Sequence, residues 1–107
     1  PELAVVLETD ATKAREIARK YMTTYTRLPN YTNNLKRFGF TEEEITHQED
    51  RLVDAIVAWG TLEDIHARIK AHLDGGADHV CVQVLSANPT AVTMNEFREL
   101  ASLIPSL

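Results

Sequence analysis

Apolar residues recur along this chain at two spacings, and the switches between them mark its elements. Leu3 to Glu8, LAVVLE, is a continuous apolar run rich in β-branched residues, the pattern of a strand buried on both faces. Thr9 or Asp10 then caps a helix in which Ala14, Ile17, Ala18, Tyr21, Met22, Tyr25 and Leu28 share one stripe through residue 28. Pro29 stops it, because proline donates no amide hydrogen and pushes its predecessor out of helical geometry. A second short helix is expected over Tyr31 to Phe38, closed by Gly39.

Thr41 and Glu44 have the spacing of a capping box, in which hydroxyl and carboxylate each satisfy an amide left unpaired at a helix start. Asp50 to Trp59 places Leu52, Val53, Ile56 and Val57 on one stripe and reads as helix, with a short strand over Ala55 to Trp59 as the alternative. Thr61 and Asp64 repeat the capping spacing before Ile65, Ile69 and Leu73, and Gly75-Gly76 closes that helix. Residues 79–85, HVCVQVL, set Val80, Val82 and Val84 against Cys81, Gln83 and Leu85, a strand that Asn88 and Pro89 break. Thr93 and Glu96 form a third box, leading a helix whose Met94, Phe97, Leu100, Ala101 and Ile104 are expected to pack inward.

The order predicts an α/β fold with two parallel-type strands and several helices. Two strands do not make a sheet core of their own, so the segment reads as incomplete. No repeat, low-complexity tract or linker divides residues 1–107, which form a single segment. Its size permits roughly two thirds of the unfolded surface to be buried. Eleven Lys and Arg against sixteen Asp and Glu give a net charge of −5, which argues against a nucleic-acid or anionic-membrane surface. No apolar run is long enough to span a bilayer, and no secretory signal opens the chain. Pro1 in place of an initiator Met suggests a processed start or a cut from something longer. A single cysteine, Cys81, excludes a disulfide framework and fits a reducing cytoplasm.

Few residues carry a chemical signature. His47, His66, His72 and His79 lack metal-type spacing, so no metal site is expected. Glu42 to Glu44 complement a helix N-terminus, and Cys81 reads as a small buried hydrophobe without a base to activate it. Gly75-Gly76 follows a helix, so it is a helix stop and no phosphate loop. Asn30-Tyr31-Thr32 matches a glycosylation acceptor but lacks a secretory context. The segment Tyr25 to Asn34 concentrates phenols, amides and Arg27, a mixture that suits either a pocket wall for a polar ligand, with Arg27, Lys36 and Arg37 to offset an anionic group, or an ordinary polar turn with exposed cations.

The ordered blocks AVVLETD, LPNYTNNLKRFGF, DRLVDAIVAWG and HLDGGADHVCVQVL resemble the C-terminal third of luciferase-like oxidoreductases, and most closely the actinobacterial branch assigned to the deazaflavin coenzyme F-420. Gly60-Thr-Leu-Glu-Asp-Ile65 corresponds to the family's G-[TS]-P-E-[ED]-[VI] turn, with Leu62 in place of proline, and Gly76-Ala-Asp-His79 to the turn before its last strand. The resemblance implies the C-terminal portion of a (β/α)₈ TIM barrel, incomplete as a barrel and completed by the remainder of the parent chain. It also implies hydride transfer between the deazaflavin and a small organic substrate, or oxygenation by an FMN-dependent monooxygenase relative. The family's usual catalytic groups precede this segment, so no catalytic residue is assigned here and the chain alone should be inactive. Within that picture Tyr25, Tyr31, Asn33 and Asn34 are expected to line the substrate side of the barrel mouth. Arg27 would offset an acidic cofactor tail or an anionic substrate, Glu8, Thr9 and Ser86 to Asn88 follow strand ends, and Gln83 would fill the lumen. The competing expectation is a small nonenzymatic chain that covers its apolar strands by homo-oligomerisation. A free-standing small-ligand binder would need a closed pocket, of which the sequence gives no sign.

Overall fold

The computed structural model describes residues 2–88 and 93–107. Three parallel strands, β1 (Glu2–Val6), β2 (Val57–Trp59) and β3 (Cys81–Val84), form an open sheet in the order β2-β1-β3. The helices are α1 (Ala11–Tyr25), α2 (Pro29–Arg37), α3 (Glu42–His47), α4 (Asp50–Ile56), α5 (Leu62–Asp74) and α6 (Met94–Ala101), with a 3₁₀ turn over Ile104–Ser106. None of them is long and apolar enough to cross a membrane.

Strand β1 is the axis of the fold, and its sequence explains why. Leu3, Ala4, Val5 and Val6 are all buried, as a strand covered on both faces requires. Ala4 and Val6 join Val57 on one face, under Ala14, Ala18 and Met22 of α1 and residues of α2, α3 and α4. Leu3 and Val5 join Ala58 on the other, under Ile65 and Ile69 of α5. Helices therefore cover both faces of the sheet. A barrel places consecutive strands side by side and all its helices outside. Here β1 lies between its two successors, an open three-layer arrangement.

Several boundaries differ from the sequence expectation for visible reasons. Asp10 is the cap of α1, its carboxylate accepting from the Lys13 amide at 3.1 Å. The helix ends at Tyr25, three residues early, because Leu28 must be extended to precede Pro29. The helix read over Asp50 to Trp59 divides, and Val57–Trp59 becomes a third strand in register with Ala4, Val5 and Val6. A helix there would leave one edge of β1 unpaired, so the tertiary pairing outweighs the local stripe. The boxes at Thr41/Glu44 and Thr61/Asp64 form as expected. Thr93 makes no capping bond to α6. That helix buries no residue: Met94 and Phe97 remain exposed, as does Ile104 in the 3₁₀ turn that follows, and Leu100 is its half-buried contact with the α5 face. Cys81 corrects another expectation, since it is exposed on the free edge strand, not buried.

Met22 and Phe97 separate the real core from the merely apolar surface. Met22→Ala is expected to lower stability by about 2–5 kcal/mol, the usual range for emptying a fully buried site. Phe97→Ala should change it by no more than about 0.5 kcal/mol. Urea denaturation of the two variants checks the contrast.

Candidate functional site

The length of α1 decides where the expected site residues lie. Fifteen residues rise about 22 Å, against roughly 17 Å for the five residues of β1. Helix α1 starts beyond the C-terminal end of β1 and runs back beside it, so its own C-terminus overshoots the strand's beginning. Tyr25 and Tyr31 accordingly meet at the N-terminal end of the sheet. With Tyr21, Glu2, Ala4 and Ile56 they line a small recess of about 180 Å³. The ring centroids are 5.0 Å apart for Tyr21–Tyr25 and 5.6 Å for Tyr25–Tyr31, within the range of favourable aromatic pairs. Burial, reinforced by Tyr25 and by the charge of Glu2, raises the Tyr21 phenol well above its ordinary value. Burial likewise raises that of Tyr31. Both phenols stay protonated at neutral pH and act as hydrogen-bonding groups, not as bases.

Of the other expected residues, one stays with the tyrosines and two lie apart. Asn34 lines a recess of about 400 Å³ together with Tyr31, Phe38, Phe40 and His72, and this recess adjoins the first through Glu2, Tyr31 and Ile56. Arg27 opens into a cleft of about 500 Å³ between α1, α2 and α3. Asn33 is exposed and lines none of these three. All five lie at or near the lower end of α1, away from the C-terminal ends of the strands.

Those strand ends have a recess of their own. About 340 Å³ in volume, it lies between α1 and the end of β3 and is lined by Lys20, Tyr21, Gln83 and Ser86 over apolar walls from Ile17, Val84 and Leu85. Ser86 and Asn88 were expected there from their position after a strand. Gln83 faces this recess and is exposed. Lys20 and Tyr21 were not foreseen: their signal is position alone, next to the buried stripe Ala14, Ala18 and Met22. Crossovers leave β1 and return on its other side, so the crevice beyond the ends of β1 and β3 is the reversal point at which open parallel sheets bind ligands. Chemically the recess offers a cation, a phenol, an amide and a hydroxyl, with the Ser86 hydroxyl donating to the Asn88 carbonyl at 2.7 Å. It can bind a polar group, but it lacks a paired nucleophile and base. No group of three or more His, Cys, Asp or Glu able to hold a metal exists among the described residues.

The end of β2 is held by a charged clamp that sequence reading did not anticipate. The Arg15 guanidinium donates to both Asp54 carboxylate oxygens, at 3.0 and 2.7 Å, and the Trp59 indole donates to Asp54 Oδ1 at 2.9 Å. Arg15 also sits over the Trp59 ring, 5.3 Å from its centroid. A second clamp joins Arg51 to Glu44, at 2.6 and 2.8 Å. Searches of protein-family models, curated proteins and solved structures find no match to this chain.

The two clamps make stability depend on acid. Hydrogen bonding from Arg51, aided by the Thr41 amide, lowers the Glu44 carboxyl from its ordinary 4.5 to about 2. Arg15, and then Trp59, lower that of Asp54 from 3.8. A carboxyl depressed by folding contributes stability above its unfolded value and loses it as pH falls toward the folded one. The urea midpoint is therefore expected to hold above about pH 5 and to fall as the pH drops through 4.5 toward 2. In the Glu44→Gln/Asp54→Asn variant the difference from the unsubstituted chain should be greatest near neutrality and shrink steeply as the pH falls from 4.5 toward 2. A difference that stays the same over this range would contradict the assignment.

Proposed function

We propose that this chain is the C-terminal part of a luciferase-like oxidoreductase whose whole form binds the deazaflavin coenzyme F-420 and exchanges a hydride with an organic substrate. The unit running from β2 through α5 to β3 carries the reading, because it gives the family-like turn residues a physical task. Gly60 has φ +126°, and a Cβ there would collide with the Asp64 carboxylate. That carboxylate folds back to accept from the Thr61 amide at 2.9 Å and the Thr61 hydroxyl at 3.0 Å. Gly76, at φ +107°, reverses the chain toward β3. A tight glycine turn, a boxed helix and a glycine reversal together make one strand-helix-strand unit of the kind from which parallel α/β enzymes are built.

The outer edges of β2 and β3 are unpaired among the described residues, which suits strands that a larger sheet would take up. Closing a barrel would require β3 to leave β1 for the outer edge of β2, freeing β1 for the strand before it. The recess of about 340 Å³ lies at the small end of ligand pockets, which run from about 300 to 1,000 Å³. Gln83 and Ser86 keep their place at the C-terminal end of β3 in either strand order and suit one polar portion of a deazaflavin, whereas Lys20 faces them only while β3 lies beside β1. The cofactor supplies the hydride; Gln83 and Ser86 would help to orient it. An exposed Cys81 is suited to a reducing cytoplasm.

The parent protein, purified at its native length, should quench or shift F-420 fluorescence saturably and reduce or oxidise it with substrate, whereas this chain alone should do neither. Saturable binding of FMN in place of F-420 would move the parent to the monooxygenase relatives. A native chain of 12.0 kDa that binds neither would overturn the reading. A second reading rests on the exposed large apolar side chains Phe38, Met94, Phe97 and Ile104 together with the open edges: a chain that self-associates without catalysis. Light scattering on the native-length protein would then show an oligomer of 12.0 kDa protomers.

A further inference from the structure

The cleft at the lower end of α1 has a composition that the redox reading does not use. Its walls are Thr23, Thr26 and Arg27 at the end of α1, Thr32 and Lys36 of α2, and Glu42, Thr46 and Gln48 on and after α3. Arg27 makes no hydrogen bond or ion pair among the described residues. Lys36 reaches Glu42 only at 4.0 Å, the far limit of an ion pair. In a chain of net charge −5, two cations therefore face one cleft with little to neutralise them.

The hydroxyls beside them are oriented. Thr23, Thr26 and Thr32 donate to the carbonyls of Arg19, Met22 and Pro29, at 2.8, 3.1 and 3.1 Å. Each hydroxyl proton is thereby committed to a helix carbonyl, and the oxygen lone pairs remain to accept. The Gln48 side-chain amide donates to Thr26 Oγ1 at 3.2 Å, while the Gln48 carbonyl accepts from Arg19 at 2.9 Å. Gln48 is the left-handed C-cap of α3, at φ 47°, and these two bonds tie it to α1. The wall is thus fixed before any ligand arrives, which spares the cost of ordering it on binding.

Cations that donate and threonine oxygens that accept ask for two things of one ligand: an anionic group and free hydroxyls. We infer that this cleft binds the phosphate monoester of a hydroxylated small molecule, the phosphate between Arg27 and Lys36 and the hydroxyls against Thr23 and Thr32. The inference is independent of the oxidoreductase reading, since it concerns the opposite end of α1 from the strand-end recess.

Titration of the isotope-labelled chain with glycerol 3-phosphate, inorganic phosphate and glycerol, followed by amide chemical shifts, tests it. The phosphate ester should give saturable shifts confined to the ends of α1, α2 and α3. Inorganic phosphate should bind about tenfold more weakly for want of the hydroxyl contacts, and glycerol should give no saturable shift. Arg27→Ala/Lys36→Ala should weaken the ester by about a hundredfold, the worth of two charge-assisted contacts, with the circular dichroism spectrum unchanged. Both side chains are exposed, so the variant is expected to fold. Thr32→Val should shrink the preference for ester over phosphate while leaving phosphate binding intact. No saturable shift with the ester, equal affinity for ester and phosphate, or undiminished binding by the double variant would each overturn the inference.

Discussion

Everything in this molecule depends on β1 being paired on both edges and covered on both faces. A strand with Leu3, Ala4, Val5 and Val6 all buried has no solvent-facing side, and its backbone groups have no water to fall back on. Parallel neighbours at Val57–Trp59 and Cys81–Val84 satisfy those groups. Helices on either side then bury the side chains, one cluster under α1 to α4 and the other under α5. Neither flanking strand enjoys the same protection. Strand β3 exposes Cys81 and Gln83 because α1 does not reach across it, and that gap is the recess at the sheet's C-terminal end.

The same geometry separates two surfaces along one helix. A fifteen-residue helix beside a five-residue strand has to project past it, so one end of α1 serves the strand ends and the other carries the tyrosines and Arg27. The apolar stripe Ala14, Ala18 and Met22 anchors it between them. Small alanines at two of these three positions let the helix approach the sheet closely. The larger polar residues on either side of the stripe, Lys20 above the recess and Thr23 and Thr26 above the cleft, become the walls of two separate surfaces.

What could be read from the sequence was local. Capping boxes at Thr41 and Thr61 and the stop at Gly75-Gly76 depend on neighbours within a few residues, and their chemistry fixes them, while the unbroken apolar run Leu3 to Val6 marks a strand covered on both faces. The third strand was harder, since Ile56 and Val57 suit a helical stripe and a β edge equally, and only pairing with Ala4 decides between them. Cys81 reads as core because its segment is apolar and Phe97 because it falls on a helical stripe, yet burial depends on what lies across from them, and the described residues supply no cover. The site suffered most. Tyr25, Tyr31, Asn33, Asn34 and Arg27 are contiguous enough in sequence to suggest one pocket wall, and Tyr25, Tyr31 and Asn34 do line adjoining recesses, but a helix end, a turn and the next helix turn Arg27 into another cleft and leave Asn33 outside all of them. The Arg15–Asp54 clamp joins residues 39 positions apart, a partnership no spacing rule announces.

The strand order β2-β1-β3 is the claim on which this account stands. Backbone nuclear Overhauser contacts in the isolated chain test it most directly. Cross-strand contacts are expected from Ala4 to Val57 on one side of β1 and from Leu3 to Val82 on the other, with the amides of β1 the slowest to exchange with solvent. Contacts joining Val57–Trp59 directly to Cys81–Val84, with none between Leu3 and Val82, would contradict it and make the sheet sequential.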